Sequence, residues 1–427
     1  MTIRLYNARI LTMQDAFLLS GELHVKDGSI SYVGPSLESD SLQDSHFDKE
    51  IDCKNNILMP GFKNGHAHGP MTFLRSKADD MPLDLWLNQQ VFPAEAKLTE
   101  EDTYWLHKLA ILEYLSSGIT SSFEMYFIDE GIEQASLDMG FRTVFSGALV
   151  GSDVQWLKRL EDRYQKVNQK GGLLSYQFGF HAEYSTSREL IEGVVSLAKQ
   201  YQAPVYTHCQ ETEKETLGCI ERYGKTPVQF FSEIGMFEYG GGLFHMVHPM
   251  DGDMECMLEH NVAVVSNPGS NAKLASGIAP LEQYVNAGVL VGLGTDGPAS
   301  NNCLDMFWEM HLASGLQKIK EGRADALPAE QVLSMATVNG ARIMGLSDCD
   351  TLSVGKRADI VMIDMHQPNM QPEHDFVKNL VYSGNKRNVL MTMVDGEILF
   401  ENGIYPSSYH VNEIYEKCNA ITKRICS

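Results

Sequence analysis

Paired cysteines are missing from this sequence. Its 8 cysteines, at positions 53, 209, 219, 256, 303, 349, 418 and 426, are scattered through 427 residues with no CxxC among them. That spacing excludes a disulfide scaffold and a structural zinc knot, and reads as reduced thiols. Positive charge is also scarce: 34 Lys and Arg stand against 56 Asp and Glu, a net charge of −22. A nucleic acid or an anionic membrane would ask for a basic face, so neither is an expected partner. There is no basic leader followed by an apolar stretch, and no apolar run of membrane-spanning length. The expectation is a soluble cytoplasmic protein. The PCxxC element of the zinc deaminases that act on nucleic-acid bases is absent as well.

What is present describes an ordinary globular chain, 43% hydrophobic and 21% charged, with ample material for a core. Residues 1–60 alternate short β-type runs around an Asp27-Gly28 turn and predict a small antiparallel sheet, the N-terminal part of a β-domain. From about residue 61 the texture changes. Short apolar runs ending near His66, Phe123, Phe145, Phe180, Thr207, Phe244, Val265 and Leu293 alternate with amphipathic segments, two of them opened by the capping candidates Thr99 and Ser187. Eight such alternations over 61–345 predict a (β/α)8 TIM barrel. A doubly wound open sheet is the competing architecture, and GxGxxG does not follow the first strand. After 346 the β texture returns, with a second Asp-Gly turn at Asp395-Gly396 and a closing helix over 411–425. Both chain ends are therefore expected to build one small β-sandwich domain beside the barrel, residues 346–427 supplying its second part.

Catalytic groups of such a barrel gather where its strands end. His66 and His68, one residue apart on a strand, project to the same side. Alone, HxH is two polar residues at a strand exit. However, His181, His208, His245 and Asp296 each follow a different candidate strand, so five of the eight strands deliver an ionisable or ligating group at one end. His66, His68, His208 and Asp296 would form a nitrogen-rich set completed by oxygen, with a position left for water, as in catalytic zinc sites. There a divalent ion brings the pKa of water from 15.7 to about 7. Glu211 and His245 remain for proton transfer, although Glu211 alone, among Glu213 and Glu215, also reads as an acid at a helix N-terminus.

The strings PGFKNGHAHGPMTFLR, DLWLNQQVFPAE, FGFHAEYSTS, THCQETEKE, SNPGSNAKLASGIAP and GTDGPASNN resemble those of the amidohydrolase superfamily. Within it the chain is similar to the 5′-methylthioadenosine/S-adenosylhomocysteine deaminase group, related to triazine hydrolases and cytosine deaminase. The resemblance covers nearly the whole chain. It implies one divalent metal, zinc first, with iron, nickel or manganese as alternatives, on His66, His68, His208 and Asp296. It implies Glu211 as the acid for purine N1, and His245 with Asp296 as the groups that activate water for attack at C6, releasing ammonia. Glu95 matches the residue that accepts hydrogen bonds from ribose hydroxyls, and His181 a residue that contacts the nucleoside. Trp86 falls where an aromatic lies near substrate, though it also reads as packing for a loop helix.

Two positions depart from the pattern. Arg159 fits one of a pair of arginines that can hold an amino-acid carboxylate, while Gly147 occupies the other position. Glu183 replaces the proline of HxPY and is expected to leave an acidic group near the pocket mouth. These departures lead to the expectation that adenosine or 5′-methylthioadenosine is accepted at least as well as S-adenosylhomocysteine. A guanine, pterin or triazine hydrolase is the alternative, but a free base would leave Glu95 and His181 without a task. A catalytically silent relative would be expected to have lost ligands. The remaining expectations are a small nucleoside as partner and a homo-oligomer.

Overall fold

The computed structural model describes residues 1–14, 18–38, 46–77, 79–127 and 129–426. Eight parallel strands form one sheet in strict chain order: β6 (Phe62–Ala67), β7 (Ile119–Met125), β8 (Arg142–Ser146), β9 (Leu174–Ala182), β10 (Val205–Cys209), β11 (Gly241–His245), β12 (Val262–Ser266) and β13 (Val291–Leu293). The Asp296 amide donates to the His66 carbonyl at 3.0 Å, joining the chain beyond β13 to β6 and bringing the ends of the sheet together. Helices alternate with the strands, as in Glu100–Ser116, Arg188–Tyr201, Glu213–Tyr223 and Met306–Glu321. The expected (β/α)8 barrel is thus the observed one.

Most of the barrel strands are buried along their whole length. Parallel strands covered on both faces read as continuous apolar runs, which is why the sequence displays them so openly. β10 begins at Val205, just after Pro204, which has no N–H for the ladder. β13 is confined to Val291–Leu293. The helix starts follow local chemistry. Thr99 and Asp102 form a reciprocal capping box, and the Ser187 hydroxyl accepts from the Leu190 amide.

The second sheet uses both chain ends: β1 (Thr2–Leu11), β2 (Leu18–Lys26), β3 (Ser29–Gly34), β4 (Lys49–Asp52) and β5 (Ile57–Pro60) with β14 (Ile360–Ile363), β15 (Val389–Val394) and β16 (Glu397–Glu401). Its order is β16-β15-β14-β5-β1-β2-β3, with β4 also on β1. The sheet is mixed rather than antiparallel, because β4 and β5 return parallel to β1. Both Asp-Gly turns take positive φ at each residue, 50° and 79° at Asp27-Gly28 and 54° and 82° at Asp395-Gly396. That is the type I′ geometry matching the twist of a tight hairpin. The helix Val411–Cys426 closes the chain. Among the described residues no helix is long and apolar enough to cross a membrane.

Inside the barrel, Phe123, Tyr206 and Phe244 contact one another with ring centroids 4.8 to 6.2 Å apart. Phe244 also stacks on the His66 imidazole at 3.9 Å. This aromatic plug separates two polar ends. At the N-terminal end of the strands, the fully buried Lys63 and Arg142 meet Asp359 from the terminal sheet. At the C-terminal end lies the histidine cluster.

Candidate active site

His66 lies within β6 and His68 just beyond it, His208 lies near the end of β10, and Asp296 follows β13. One ligating atom from each falls within 4.8 Å of the others. His208 Nε2 is 3.1 Å from His66 Nε2 and 3.2 Å from His68 Nε2, while Asp296 Oδ1 stands 3.5 and 3.3 Å from the same two nitrogens. The outward nitrogens decide what these contacts mean. His68 Nδ1–H donates to the Met125 carbonyl at 2.6 Å, and His208 Nδ1–H to the His181 carbonyl at 2.7 Å. In the neutral rings both Nε2 atoms are therefore bare lone pairs facing each other, which repel unless a cation lies between them. Three imidazoles and one carboxylate oxygen suit a divalent transition metal.

Burial acts on every group here. It pushes the imidazole of His66 down to about 3 and that of His181 to about 4. His208 falls well below its ordinary value, from burial and from its histidine neighbours. Burial would raise Asp296, but hydrogen bonds with His66 and His68 hold it well below the usual carboxylate range. Burial would lower His68 too, but the hydrogen bond and charge of Asp296 raise it, so neutral imidazole is favoured at His66 and His208 while His68 shares its proton with the carboxylate.

The backbone turns sharply at these strand ends. Gln210, His245 and Asp296 all have positive φ, 51°, 74° and 57°. Non-glycine residues hold that region at some cost, and such strain concentrates where side chains must be aimed. Glu215 supports the first turn, accepting from the Gln210 and Glu211 amides at 2.9 Å each.

Around the cluster lies a cavity of about 410 Å³, within the usual range for small-molecule sites. His181, Glu95, Glu211 and His245 all reach it, and its apolar wall includes Trp86, Phe92, Tyr126 and Phe127. Glu211 Oε2 is 3.9 Å from His245 Nε2, and burial first of all raises its pKa. Burial likewise pushes Glu95 up to about 7, against the lowering effect of the 2.6 Å hydrogen bond from the Tyr126 hydroxyl. His181 Nδ1 pairs with Ser185 Oγ at 2.7 Å. Trp86 is buried in the wall, and its indole N–H has no partner among the described residues.

Arg159 lies apart from these groups. It lines an adjoining hollow of about 160 Å³ that shares Tyr126, Phe127 and Val150 with the main cavity. Its guanidinium pairs with Asp129 at 3.1 Å and Glu130 at 2.7 Å. Gly147 faces the same hollow, where an added Cβ would stand 2.5 Å from the Gly179 carbonyl, so no arginine fits without backbone movement. Glu183 does not occupy the pocket mouth as expected from sequence. It is buried against Arg222, whose Nε donates at 3.0 Å, and its charge is spent there.

The sequence points to the candidate site residues but not to what holds them: Tyr126 on Glu95, Ser270 and Ser300 on Asp296, and Asn271 on His245. The only signals were the strings SNPGSNAKLASGIAP, which holds Ser270 and Asn271, and GTDGPASNN, which holds Ser300.

The model of the amidohydrolase family matches residues 57–399. The chain is 40% identical over 398 residues to the 5-methylthioadenosine/S-adenosylhomocysteine deaminase of Desulfitobacterium hafniense, covering 92% of this chain and 91% of the relative. It is 36% identical over 409 residues to the protein of the same name from Caldanaerobacter subterraneus subsp. tengcongensis, covering 94% and 93%. The crystal structure of an adenosine deaminase from Xanthomonas campestris with bound zinc superposes with a TM-score of 0.93 at 30% identity, covering 99% and 98%.

Proposed function

The chain belongs to the amidohydrolase family, and from that premise we propose that it is a metal-dependent hydrolytic deaminase. It converts the 6-amino group of adenosine-type nucleosides (5′-methylthioadenosine, S-adenosylhomocysteine, adenosine) to the inosine-type product and ammonia. The observation that carries the reading is one cavity lined by His68, His208, Glu211, His245 and Asp296 from the ends of four barrel strands and by the buried carboxylate of Glu95 from a separate short helix.

His66, His68, His208 and Asp296 would hold the ion, for which we propose zinc. Bound there, a divalent ion would supply an acidified water at neutral pH. Glu211, kept protonated to higher pH by burial, donates to purine N1 and makes C6 electrophilic. His245 and Asp296 accept the proton that water loses as it adds to C6 and pass it to the 6-amino group, so that collapse of the tetrahedral carbon expels ammonia while the remaining hydroxyl proton restores Glu211. Glu95 accepts from the ribose hydroxyls, while His181 and the indole of Trp86 contact the nucleoside.

Arg159 lines the adjoining hollow, and its charge is already matched by Asp129 and Glu130. This supports turnover of adenosine and 5′-methylthioadenosine at least as good as that of S-adenosylhomocysteine. Residues 61–345 are the proposed catalytic unit, with 1–60 and 346–427 forming its β-domain. A cytoplasmic homo-oligomer that leaves nucleic acid and membranes alone completes the reading, in keeping with the net charge of −22.

The test is ammonia release by zinc-loaded protein offered adenosine, 5′-methylthioadenosine, S-adenosylhomocysteine, guanine and cytosine in parallel. Turnover of the adenosine derivatives is expected. Silence toward all three with turnover of a free base would overturn the assignment.

A further inference from the structure

The barrel strand β12 delivers none of the metal-ligand candidates or of the acid and base groups. The chain that leaves β12 nevertheless touches every proton-handling group of the site. Ser270 Oγ donates to Asp296 Oδ2 at 2.6 Å. The next residue, Asn271, accepts from His245 Nδ1 through Oδ1 at 2.8 Å. Ser276 Oγ donates to Glu211 Oε1 at 3.3 Å. From these contacts we infer that residues 268–276 are the positioning device of the reaction, holding the base pair and the acid in register from one rigid turn.

Each contact has a chemical consequence. With its Nδ1–H given to Asn271, neutral His245 must carry its lone pair on Nε2, the nitrogen that faces Glu211 and the cavity. The Ser270 hydroxyl, together with Ser300 Oγ at 2.8 Å, occupies Asp296 Oδ2 and turns Oδ1 toward His66 and His68. Ser276 fixes one oxygen of Glu211 and leaves the other toward His245.

The turn is itself anchored from behind. Fully buried Glu309 accepts from the Gly269 amide at 2.8 Å and from Asn301 Nδ2 at 2.7 Å. Asn301 also donates to the Thr295 carbonyl, next to Asp296. A Cβ on Gly269 would lie 2.5 Å from Glu309 Oε1 and 2.6 Å from Asn301 Oδ1, so the glycine is what lets this anchor close. Two segments, the short helix Pro268–Lys273 bearing Ser270 and Asn271 and the turn bearing Ser300, are thereby tied to a single carboxyl group.

The inference rests on the deaminase reading for its kinetic effect and on geometry alone for its tautomer. Asn271→Ala is expected to lower kcat about 10- to 100-fold, the usual size for the loss of a group that orients a catalytic imidazole, with KM within about threefold. Zinc content and melting temperature should stay at the wild-type level. Asn271→Asp, which keeps the acceptor, is expected to recover kcat to within about fivefold of wild type. In 15N-histidine NMR spectra of the zinc-loaded protein, His245 should show the Nδ1–H tautomer in the wild type and in Asn271→Asp, and lose it in Asn271→Ala. This arm needs no substrate, so its outcome is separate from any failure of the deaminase reading. Unchanged kcat and tautomer in Asn271→Ala would overturn the inference. So would equal loss of kcat, zinc and melting temperature in both variants, which marks a structural role.

Discussion

The two ends of the barrel are built from the same strand and solve opposite problems. At one end of β6, Lys63 donates to Thr120 and meets Asp359, which also takes a two-pronged pair from Arg142. That cluster brings its own counter-charge and is complete in the folded chain. At the other end, His66 and His68 meet His208 and Asp296 with ring nitrogens crowded together, a group able to hold a metal ion. Between them stands the Phe123, Tyr206 and Phe244 plug. The difference teaches which buried charges hold the fold and which exist for chemistry. Conflict left in a folded core marks the functional end.

Breaking the acid tests the catalytic end. Glu211→Gln keeps the shape but cannot deliver a proton, and should lower kcat about 100- to 10,000-fold, the range of general acid catalysis. Because burial raises this pKa, wild-type activity should fall as pH rises through it and the acid ionises. The residual activity of the variant should lack that alkaline limb. A pH–rate profile of both proteins checks this, while melting temperatures should differ little.

The opposite pattern is expected at the structural end. Burial would raise Asp359, yet Arg142 and Lys63 hold it well below the ordinary carboxylate range. Asp359→Asn leaves the buried Lys63 without a carboxylate and Arg142 with Asp395 alone, and should cost about 3 to 5 kcal/mol of stability. The turnover number per folded molecule should stay near wild type. The sign with pH follows from linkage. A depressed folded pKa contributes stability that is present above the unfolded value of about 3.9 and lost as pH falls toward the folded one. The gap between wild type and variant in urea unfolding should therefore narrow on acidification below about pH 4.

Much of this contrast was legible in the sequence, and the limits have physical causes. The barrel strands stood out because parallel strands buried on both faces are continuous apolar runs. The ligands stood out because histidine and aspartate at strand ends are rare enough to notice together. By contrast, β4 reads Lys49-Glu50-Ile51-Asp52, mostly exposed and polar, with no pattern to betray it. Glu183 was misplaced because its partner, Arg222, lies 39 residues away, and Arg159 meets its acids 29 and 30 residues back. Charge pairing across helices decides whether such a residue faces a pocket, and no local signal reports it. Ser270, Asn271 and Ser276 were invisible for a different reason: their role is to hold other groups, and their side chains advertise nothing.

The most direct test of the account is zinc titration of metal-free wild-type and His208→Ala protein, followed by metal analysis and thermal melting. The wild type is expected to take up one ion per chain and to melt at higher temperature when loaded, since an ion that binds only the folded state stabilises it. His208→Ala should lose tight binding and that stabilisation, while its metal-free form melts no lower than metal-free wild type, because one of the opposed lone pairs has gone. Undiminished zinc binding by His208→Ala would contradict the assignment of the histidine cluster as the end of the barrel that is completed by a cation.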